Sequence, residues 1–422
     1  MIGTGVFTSL GFQLIDIRSG FVLLMLWAVG GVVAVCGAMT YAELGAALPR
    51  SGGEYNFLSR IYHPAAGFVS GWISATIGFA APTALAAITF AAYLASVMPN
   101  EVSPWVQKAL ACGLMIVLTV VHGSNRRNSG SLQVVFTVVK VAVIVGFCIF
   151  ALAFAGDKQD VRFLPVEGDG ALLGSAAFAV SLIYVSYAYT GWNAATYLSS
   201  EVERPQQTLP AILLTGTLVV TLLYVSLNYV FLKVAPMDAM EGKVEVGYIA
   251  AESAFGYAGG RFTGLALALL LISTVSAMTI AGPRVLQVIG QDFKGLQILS
   301  RTNQDGVPFV AIYFQSTLAI VFILTSGFES ILVFAGFTLA LNSLVTVLGV
   351  FVLRWREPEL QRPYRTFAFP IPPLVYLALT GWTLVFVLLN KPIEALFGLG
   401  IVVAGLVFYF VSASRNRAAA DS

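Results

Sequence analysis

Two short glycine motifs interrupt apolar sequence in this chain. Gly3-Thr4-Gly5 forms the first motif, and Thr190-Gly191 lies in the second. Within a membrane, backbone groups freed from a helix are tolerated only against other protein or a wet cavity. The N–H groups at the start of a half-helix suit a carboxylate, and the C=O groups at the end of another suit an ammonium. Together, the two motifs indicate a site for the backbone of a free amino acid.

Close packing between helices is the alternative explanation for these glycines. Gly67 and Gly71 have the G-x-x-x-G spacing of such a packing face. For either motif alone, packing is the more common explanation, because membrane helices are rich in glycine. Interruptions at corresponding points of two halves of a chain instead favour a transporter site.

Lys140 is the only charged residue in the window 128–156. A charged side chain in mid-membrane costs at least about 2.5–3.5 kcal/mol on insertion scales, so its position indicates a function inside a helix bundle. No Asp or Glu lies deep in any apolar window, and hydroxyl and carbonyl groups are therefore its expected partners. The candidate hydroxyls belong to Ser273, Thr274 and Ser276. A lysine at a helix end is the alternative.

Membrane-spanning helices must position these residues. Of the 422 residues, 58% are hydrophobic and 10% are charged, whereas soluble domains have about 25% charged residues. This excludes a soluble globular enzyme, and a formal net charge of +2 gives no indication of nucleic-acid binding. Since a spanning helix needs about 20 apolar residues, the windows between charges predict eleven spans and half of another at 1–15. These windows are 19–42, 61–100 (one long tilted helix), 109–125, 128–156, 170–200, 205–232, 262–283, 306–328, 330–353, 366–390 and 395–414.

The remaining polar residues give the orientation and exclude some chemistry. With the loop after residue 15 outside, most of the 23 Lys and Arg residues fall in inside loops, which predicts a cytoplasmic C-terminus. All three cysteines lie in predicted spans, so no disulfide framework is expected. The two histidines, His63 and His122, lie near span ends. They give no basis for a metal site, a cofactor or catalysis.

Several motifs resemble those of the amino acid–polyamine–organocation superfamily. The sequence I-G-T-G-V-F at 2–7 resembles the superfamily motif I-G-[ST]-G-[IV]-F, and residues 41–55 resemble the signature of its first cytoplasmic loop. The sequence T-G-W-N at 190–193, with E-V-E-R-P at 201–205, is similar to the sixth helix of the L-type amino acid transporter branch. The late loop at 362–373 also fits. The resemblance covers essentially the whole chain.

The resemblance implies an all-α polytopic membrane protein of the leucine-transporter type. Two inverted five-helix repeats would occupy 1–156 and 170–353, and two peripheral helices would occupy 366–414. The family's first helix has a half that precedes the glycine motif, and this chain begins two residues before Gly3. We therefore expect that the first half-helix is missing, with a wrongly assigned start codon as the preferred reason. A transport-defective, truncated permease is the alternative.

The resemblance also implies roles for individual residues. Gly3, Thr4 and Gly5 would bind the substrate carboxylate through hydroxyl and amide donors. Backbone carbonyls would hold the α-ammonium, namely those of Met1, Ile2, Tyr187 and Thr190. Tyr187 would also act as an aromatic gate over the substrate, beside Gly191 and Asn193 in the pocket. Asn193 would contact the substrate or the first helix.

Lys140 would stand where sodium-coupled relatives hold Na⁺, bridging the first and eighth helices. The implied function is sodium-independent secondary transport of neutral L-amino acids by alternating access, as exchange or as proton-linked uptake. Polyamines and cationic amino acids are less expected, because no carboxylate is predicted in the pocket. A membrane-embedded amino acid sensor is the alternative function.

The expected partners are a free amino acid and the lipid bilayer, with no nucleic acid. Animal L-type transporters join a heavy chain through a cysteine between the third and fourth helices. The corresponding loop, around Met98 to Trp105, contains no cysteine. We therefore expect no disulfide-linked heavy chain and a bacterial plasma-membrane protein.

Overall fold

The computed structural model describes residues 2–124, 130–156 and 158–418. The described residues form helices joined by short loops, with no strand among them. Nine of the described helices are long and apolar enough to cross a membrane, and two shorter ones are also apolar. Each window predicted from the charge spacing contains one of these helices. The predicted class, an all-α polytopic membrane protein, is thus confirmed.

The helices of the first part of the chain begin with a short segment and continue with longer ones. In chain order they are α1 (Gly5–Gln13), α2 (Gly20–Ala47), α3 (Glu54–Ile61), α4 (Pro64–Ile73), α5 (Ala80–Ser96), α6 (Pro104–Ser124) and α7 (Gly130–Phe154). Because α2 runs the length of the bundle, we name the two ends of the bundle after residues beside its ends: the Arg18 end and the Arg50 end.

The second part of the chain has the same mixture of short and long helices. They are α8 (Asp169–Leu173), α9 (Ala176–Tyr189), α10 (Pro205–Val234), α11 (Met237–Met240), α12 (Val246–Asp292), α13 (Phe309–Thr325), α14 (Phe328–Arg356), α15 (Ile371–Asn390) and α16 (Pro392–Ala418). Two 3₁₀ segments, Ala194–Glu201 and Lys294–Ser300, complete the described elements.

Two of the predicted spans contain irregular backbone. The window 61–100 was expected to form one long helix, but a π-helical turn at Ser74–Gly78 separates α4 from α5. Such turns insert an extra residue and often lie at functional sites. The window 170–200 breaks where the glycine motif predicted it. There α9 ends at Tyr189, and Gly191 has a φ of 91°, which favours glycine.

The start of α1 and the end of α9 cross at very short range. A Cβ atom added to Gly5 would lie 2.5 Å from the Cα atom of Ala188 and 2.6 Å from its Cβ atom. No side chain fits between the two backbones at this point. Close packing, which sequence reasoning weighed as an alternative to substrate binding, is therefore one role of Gly5.

We expect that Gly5→Ala destabilises the protein. The added methyl group must push α1 away from Ala188, and overpacking of this kind typically costs about 1–3 kcal/mol. Thermal unfolding of the purified protein in detergent measures the effect. Gly146→Ala in α7 is the matched control, because a Cβ atom there meets nothing within 4 Å. Equal melting temperatures for the two variants would contradict the close crossing.

A buried ion pair joins helices near the Arg50 end. Glu43 of α2, 2% exposed, accepts hydrogen bonds from Nε and Nη2 of Arg354 in α14, at 2.8 and 2.7 Å. The backbone N–H of Thr366 donates to the same carboxylate at 2.8 Å, and the Nε atom of Arg362 lies 3.6 Å away. The loop between α14 and α15 is thereby fixed to α2.

We expect that Arg354→Met lowers stability by about 3–5 kcal/mol, since it removes the main partner of a buried carboxylate. Arg60→Met is the control, because Arg60 pairs with Glu357 at 2.6 Å in a more exposed position, where such pairs contribute about 0–1 kcal/mol. Thermal unfolding compares the two variants. A smaller loss for Arg354→Met than for Arg60→Met would refute this interpretation of the Glu43 cluster.

Candidate functional site

The first turn of α1 presents backbone amide groups at the first glycine motif. Thr4 is the N-cap residue of α1 and is 4% exposed. Its side chain makes no capping hydrogen bond, so it does not satisfy the N–H groups of the first turn. These amide groups lie beside a cavity that Ile2, Gly3, Thr4 and Gly5 help to line. The arrangement is suited to a carboxylate.

The end of α9 presents the opposite polarity at the second motif. The N–H and the hydroxyl of Thr190 both donate to the carbonyl oxygen of Tyr187, at 3.0 and 2.6 Å. This carbonyl, which the resemblance implied for the substrate ammonium, is thus already engaged within the chain. The predicted carbonyls of Ile2 and Thr190 belong to residues that line the cavity. Met1 lies outside the described residues.

Two tyrosines connect the broken helix ends. The phenol of Tyr187 hydrogen-bonds with the side chain of Thr4. The hydroxyl of Tyr224, on α10, donates to the carbonyl of Ala188 at 3.2 Å and accepts from the amide of Gly3. Sequence reasoning singled out Tyr187 and missed Tyr224, because Tyr224 lies within a long span and belongs to none of the recognised motifs. Tyr224 holds the two motifs together.

Lys140 lies inside the bundle, with 7% of its surface exposed. Its ammonium group donates to the hydroxyl of Thr274 at 2.8 Å, so α7 is linked to α12. The other two candidates are placed differently. Ser276 is 2.8 Å from the Nε2 atom of His122, and the hydroxyl of Ser273 is buried without a hydrogen-bond partner.

A cavity of about 460 Å³ brings the predicted groups together. Residues from the start of α1, the end of α9, α7 and α12 line it. The predicted site residues among them are Ile2, Gly3, Thr4, Gly5, Lys140, Tyr187, Thr190 and Thr274. We name this the break cavity.

A second cavity of about 160 Å³ lies towards the Arg50 end, and we name it the inner cavity. Gly191 and Asn193 line it instead of the break cavity. The amide of Asn193 donates to the carboxylate of Glu54 on α3. Asn193 therefore faces α3 in this structure, and its predicted contact with the substrate or the first helix stays a prediction. Pro82, Thr190 and Met278 line both cavities.

Glu54 adds a carboxylate beside the pocket that the glycine motifs predicted: no Asp or Glu is among the described residues that line the break cavity, but Glu54 lines the inner cavity next to it. Its position in a loop motif placed it near the membrane boundary, yet it is 1% exposed and lines the inner cavity. In the sequence, Glu54 directly follows Gly52 and Gly53. Both glycines have positive φ angles in the structure and turn the chain back into the bundle. The absence of a carboxylate near the pocket therefore no longer argues against cationic substrates.

Contacts at the Arg18 end lie beyond Tyr187. The hydroxyl of Tyr184 donates to Glu329 at 2.7 Å, and Lys391 donates to the same oxygen at 2.8 Å. Phe12 stacks on Phe328 with 5.4 Å between ring centroids. Burial opposes the charge of Lys391, but the hydrogen bond and the negative charge of Glu329 outweigh it and raise the pKa of Lys391. These contacts join α1, α9, α14 and the start of α16.

The fold and the site define a class of protein. It is an all-helical membrane protein whose broken helix ends, one offering amides and the other carbonyls, meet at a cavity with a buried lysine. The amino acid permease family model matches residues 1–414, and the chain belongs to that family.

Its relatives are amino acid transporters. It is 26% identical over 419 residues to the b(0,+)-type amino acid transporter 1 of Mus musculus, an alignment that covers 97% of this chain and 84% of the relative. It is 27% identical over 427 residues to the Asc-type amino acid transporter 1 of Mus musculus, with 97% and 78% covered. The large neutral amino acids transporter small subunit 2 of Homo sapiens is 28% identical over 430 residues, with 97% and 77% covered. This protein is therefore an amino acid transporter of the permease family and not an enzyme.

We expect that Tyr224→Phe weakens the connection between the two broken helices. The substitution leaves the Ala188 carbonyl and the Gly3 amide without their shared hydroxyl, at a cost of about 1 kcal/mol or more for buried groups. Amino acid binding, followed by ligand-induced thermal stabilisation, should weaken with it. Tyr229→Phe, a half-buried tyrosine on the same helix, serves as the control. Unchanged binding in Tyr224→Phe would show that this bridge does not organise the site.

Proposed function

We propose that this protein is a sodium-independent secondary transporter of neutral L-amino acids that works by alternating access. It would operate either as an exchanger or with proton-linked uptake. The observation that carries the proposal is the break cavity, where the amides of α1, the end of α9 and Lys140 meet. The names of the relatives, which include a neutral amino acid transporter, support the same substrate class.

The substrate backbone would bind between the two motifs. Its carboxylate would accept from Thr4 and Gly5, where the Thr4 side chain caps no first-turn amide, and from Gly3, whose amide would pass from the hydroxyl of Tyr224 to the substrate. Its α-ammonium would donate to backbone carbonyls of the two broken ends, with Met1, Ile2 and Thr190 as the contributors. Tyr187, held by Thr4, would cover the substrate on the side of the Arg18 end. Gly191 and Asn193 line the neighbouring cavity that would receive the side chain.

Lys140 would replace a sodium ion in linking the moving parts of the carrier. Its ammonium already ties α7 to the hydroxyl of Thr274 on α12, and it lines the cavity that residues 2–5 also line. A fixed positive charge in this place removes the need for a bound cation. Ser273, whose hydroxyl is buried with no partner among the described residues, would offer a second acceptor on α12 when the helices shift.

Alternating access would follow from two repeats, 1–156 and 170–353, that move against each other while helices in 366–414 stay peripheral. We place the protein in a bacterial plasma membrane with the Arg50 end and the C-terminus in the cytoplasm. The loop around Met98 to Trp105 carries no cysteine, and we propose that the protein works without a disulfide-linked heavy chain.

Reconstituted vesicles test the proposal. The full chain, in liposomes preloaded with unlabelled amino acid or left empty, should take up radiolabelled neutral amino acids in the absence of Na⁺. Uptake that needs internal amino acid indicates exchange, and uptake driven by a pH gradient indicates proton coupling. Binding without uptake would favour a sensor. Strict dependence on Na⁺ would contradict the proposed role of Lys140.

We expect that Lys140→Ala reduces uptake at least about tenfold, because it removes the charged side chain that links α7 with α12 in the cavity. Sodium should not restore uptake, since no Asp or Glu is among the described residues that line this cavity. Lys108→Ala is the matched control, because Lys108 lies at the exposed start of α6 and donates only to the carbonyl of Leu324. Wild-type rates for Lys140→Ala would remove this residue from the mechanism.

A further inference from the structure

Tyr93 of α5 is fully buried and joins two segments outside its own helix. Its hydroxyl donates to the carbonyl oxygen of Phe7 in α1 at 3.1 Å. The same hydroxyl accepts from the backbone N–H of Gly247, in the first turn of α12, at 2.9 Å. A tyrosine hydroxyl can donate one hydrogen bond and also accept, so this group is engaged in both directions. We name the two hydrogen bonds the Tyr93 bridge.

The α1 end of the bridge lies in the part of α1 that forms the proposed site. Phe7 stands two residues after Gly5, and its N–H donates to the carbonyl oxygen of Thr4 at 2.9 Å. The Tyr93 bridge therefore ties the first turn of α1, whose amide groups lie beside the break cavity, to α5. Because α5 lines the same cavity through Pro82, the bridge contributes to the separation between two walls of the cavity.

The α12 end of the bridge lies in a short helix that folds back on the rest of α12. The chain bends at Gly256, whose φ of 73° favours glycine. A Cβ atom added to Gly260 would lie only 3.1 Å from the Cα atom of Glu252. Residues 246–255 thus pack closely on the turns that follow them, and we name them the outer helix. The body of α12 in turn packs along α5.

The loop that precedes the outer helix is instead fixed to α1. The N–H of Gly242 donates to the carbonyl oxygen of Gly11 at 2.8 Å. A Cβ atom added to Gly11 would lie 2.1 Å from the carbonyl oxygen of Lys243, so no side chain fits between α1 and the loop. Beyond the end of α1, Arg18 pairs with Asp238 of the same loop at 2.8 Å. We infer that α1 and this loop move as one body.

The Tyr93 bridge lies where the two bodies meet. Close backbone contact and an ion pair hold the loop to α1, whereas the bridge reaches α1 through one hydrogen bond between neutral groups. Such a bond contributes modestly to stability and can be broken and remade. Between the loop and the outer helix, Glu245 has a non-helical backbone with φ of −88° and ψ of 43°. This joint allows the loop to move with α1 while the outer helix stays on α12.

We propose that Tyr93 is a positioning residue that ties α1 to α5 and to the outer helix while the break cavity is closed towards the Arg18 end. When this end opens, α1 and the loop fixed to it move away, and the hydroxyl of Tyr93 releases Phe7 but keeps Gly247. The strength of the bridge thereby sets the fraction of molecules that are open at the Arg18 end. This inference rests on the proposed transport by alternating access.

Distance measurements between two spin labels test the bridge in Tyr93→Phe. The labels are attached at Ile15, after the end of α1, and at Asn100, after the end of α5, because both residues are exposed. The full chain, with its cysteines replaced by serine, is studied in liposomes by electron–electron double resonance. The variant should raise the ratio of long-distance to short-distance molecules about two- to tenfold, because it removes a hydrogen bond that only the closed state makes.

The kinetics of uptake distinguish a positioning role from a structural defect. Intact cells that express the full chain present one face to the medium, which is the Arg18 end in the proposed orientation. If more molecules of Tyr93→Phe are open at this end, the KM for a neutral amino acid such as norleucine falls about two- to tenfold. A loss of folded protein would instead lower the maximal rate and leave KM unchanged.

Tyr248→Phe is the matched control, because Tyr248 also lies on the outer helix and is 9% exposed. Its hydroxyl donates to Glu252 of the same helix at 3.3 Å, so neither the label distances nor KM should change. If Tyr93→Phe does not fold, Gly247→Ala takes its place. The added Cβ atom lies 2.9 Å from the hydroxyl oxygen of Tyr93 and should shift the distances in the same direction.

Two results overturn the role of the bridge while transport stands. One is a Tyr93→Phe variant with the label distances and the KM of the wild type. The other is an equal shift in Tyr248→Phe, which would show that the shift does not come from the bond to Phe7. A wild type that takes up no neutral amino acid would overturn the transport proposal, and the role of Tyr93 in transport with it. The label distances tell these failures apart.

Discussion

The close crossing of α1 and α9 is the constraint on which the site depends. Two backbones meet at Gly5 and Ala188 with no room for a side chain. Only at this separation can one phenol, that of Tyr224, satisfy polar groups of both chain segments. The crossing thus places a positive helix end and a negative helix end in one cavity. The proposed binding of a zwitterion between the two motifs depends on this short contact between two helices.

Three buried charges in the described part of this protein differ in how fully other groups of the chain satisfy them. Glu43 is held by the guanidinium of Arg354 and a backbone amide, so it fixes helices in place. Among the described residues, Lys140 donates to the neutral hydroxyl of Thr274, a contact that can be exchanged. Among the described residues, Glu54 is held only by neutral groups, which include the hydroxyl of Tyr41 and the amide of Asn193. The less a buried charge is satisfied within the chain, the more it is available to a ligand or a movement.

Charge spacing predicted the helices because a bilayer requires long apolar segments, and every predicted window contains one. The break at 190–191 was predictable from its glycine for the same reason, and the glycines at 3–5 lie at the start of α1. Individual contacts were not. Three neighbouring hydroxyls were candidates for Lys140, and helical rotation of about 100° per residue turns only Thr274 towards it. The burial of Glu54 was missed because a residue beside a loop carries no periodic signal of burial, and Tyr224 was missed because it belongs to none of the recognised motifs.

The π-helical turn at Ser74–Gly78 divides the segment 64–96 into two helical registers. A single 3.6-residue period therefore cannot describe which of its residues face lipid, protein or cavity, because one inserted residue rotates everything after it by about 100°. Patterns of tolerated substitution along this segment should show a phase break at the turn. Alignments that ignore the turn would compare residues on different faces of the helix. The turn itself would appear in sequence variation as a shift in the period of conserved and variable positions.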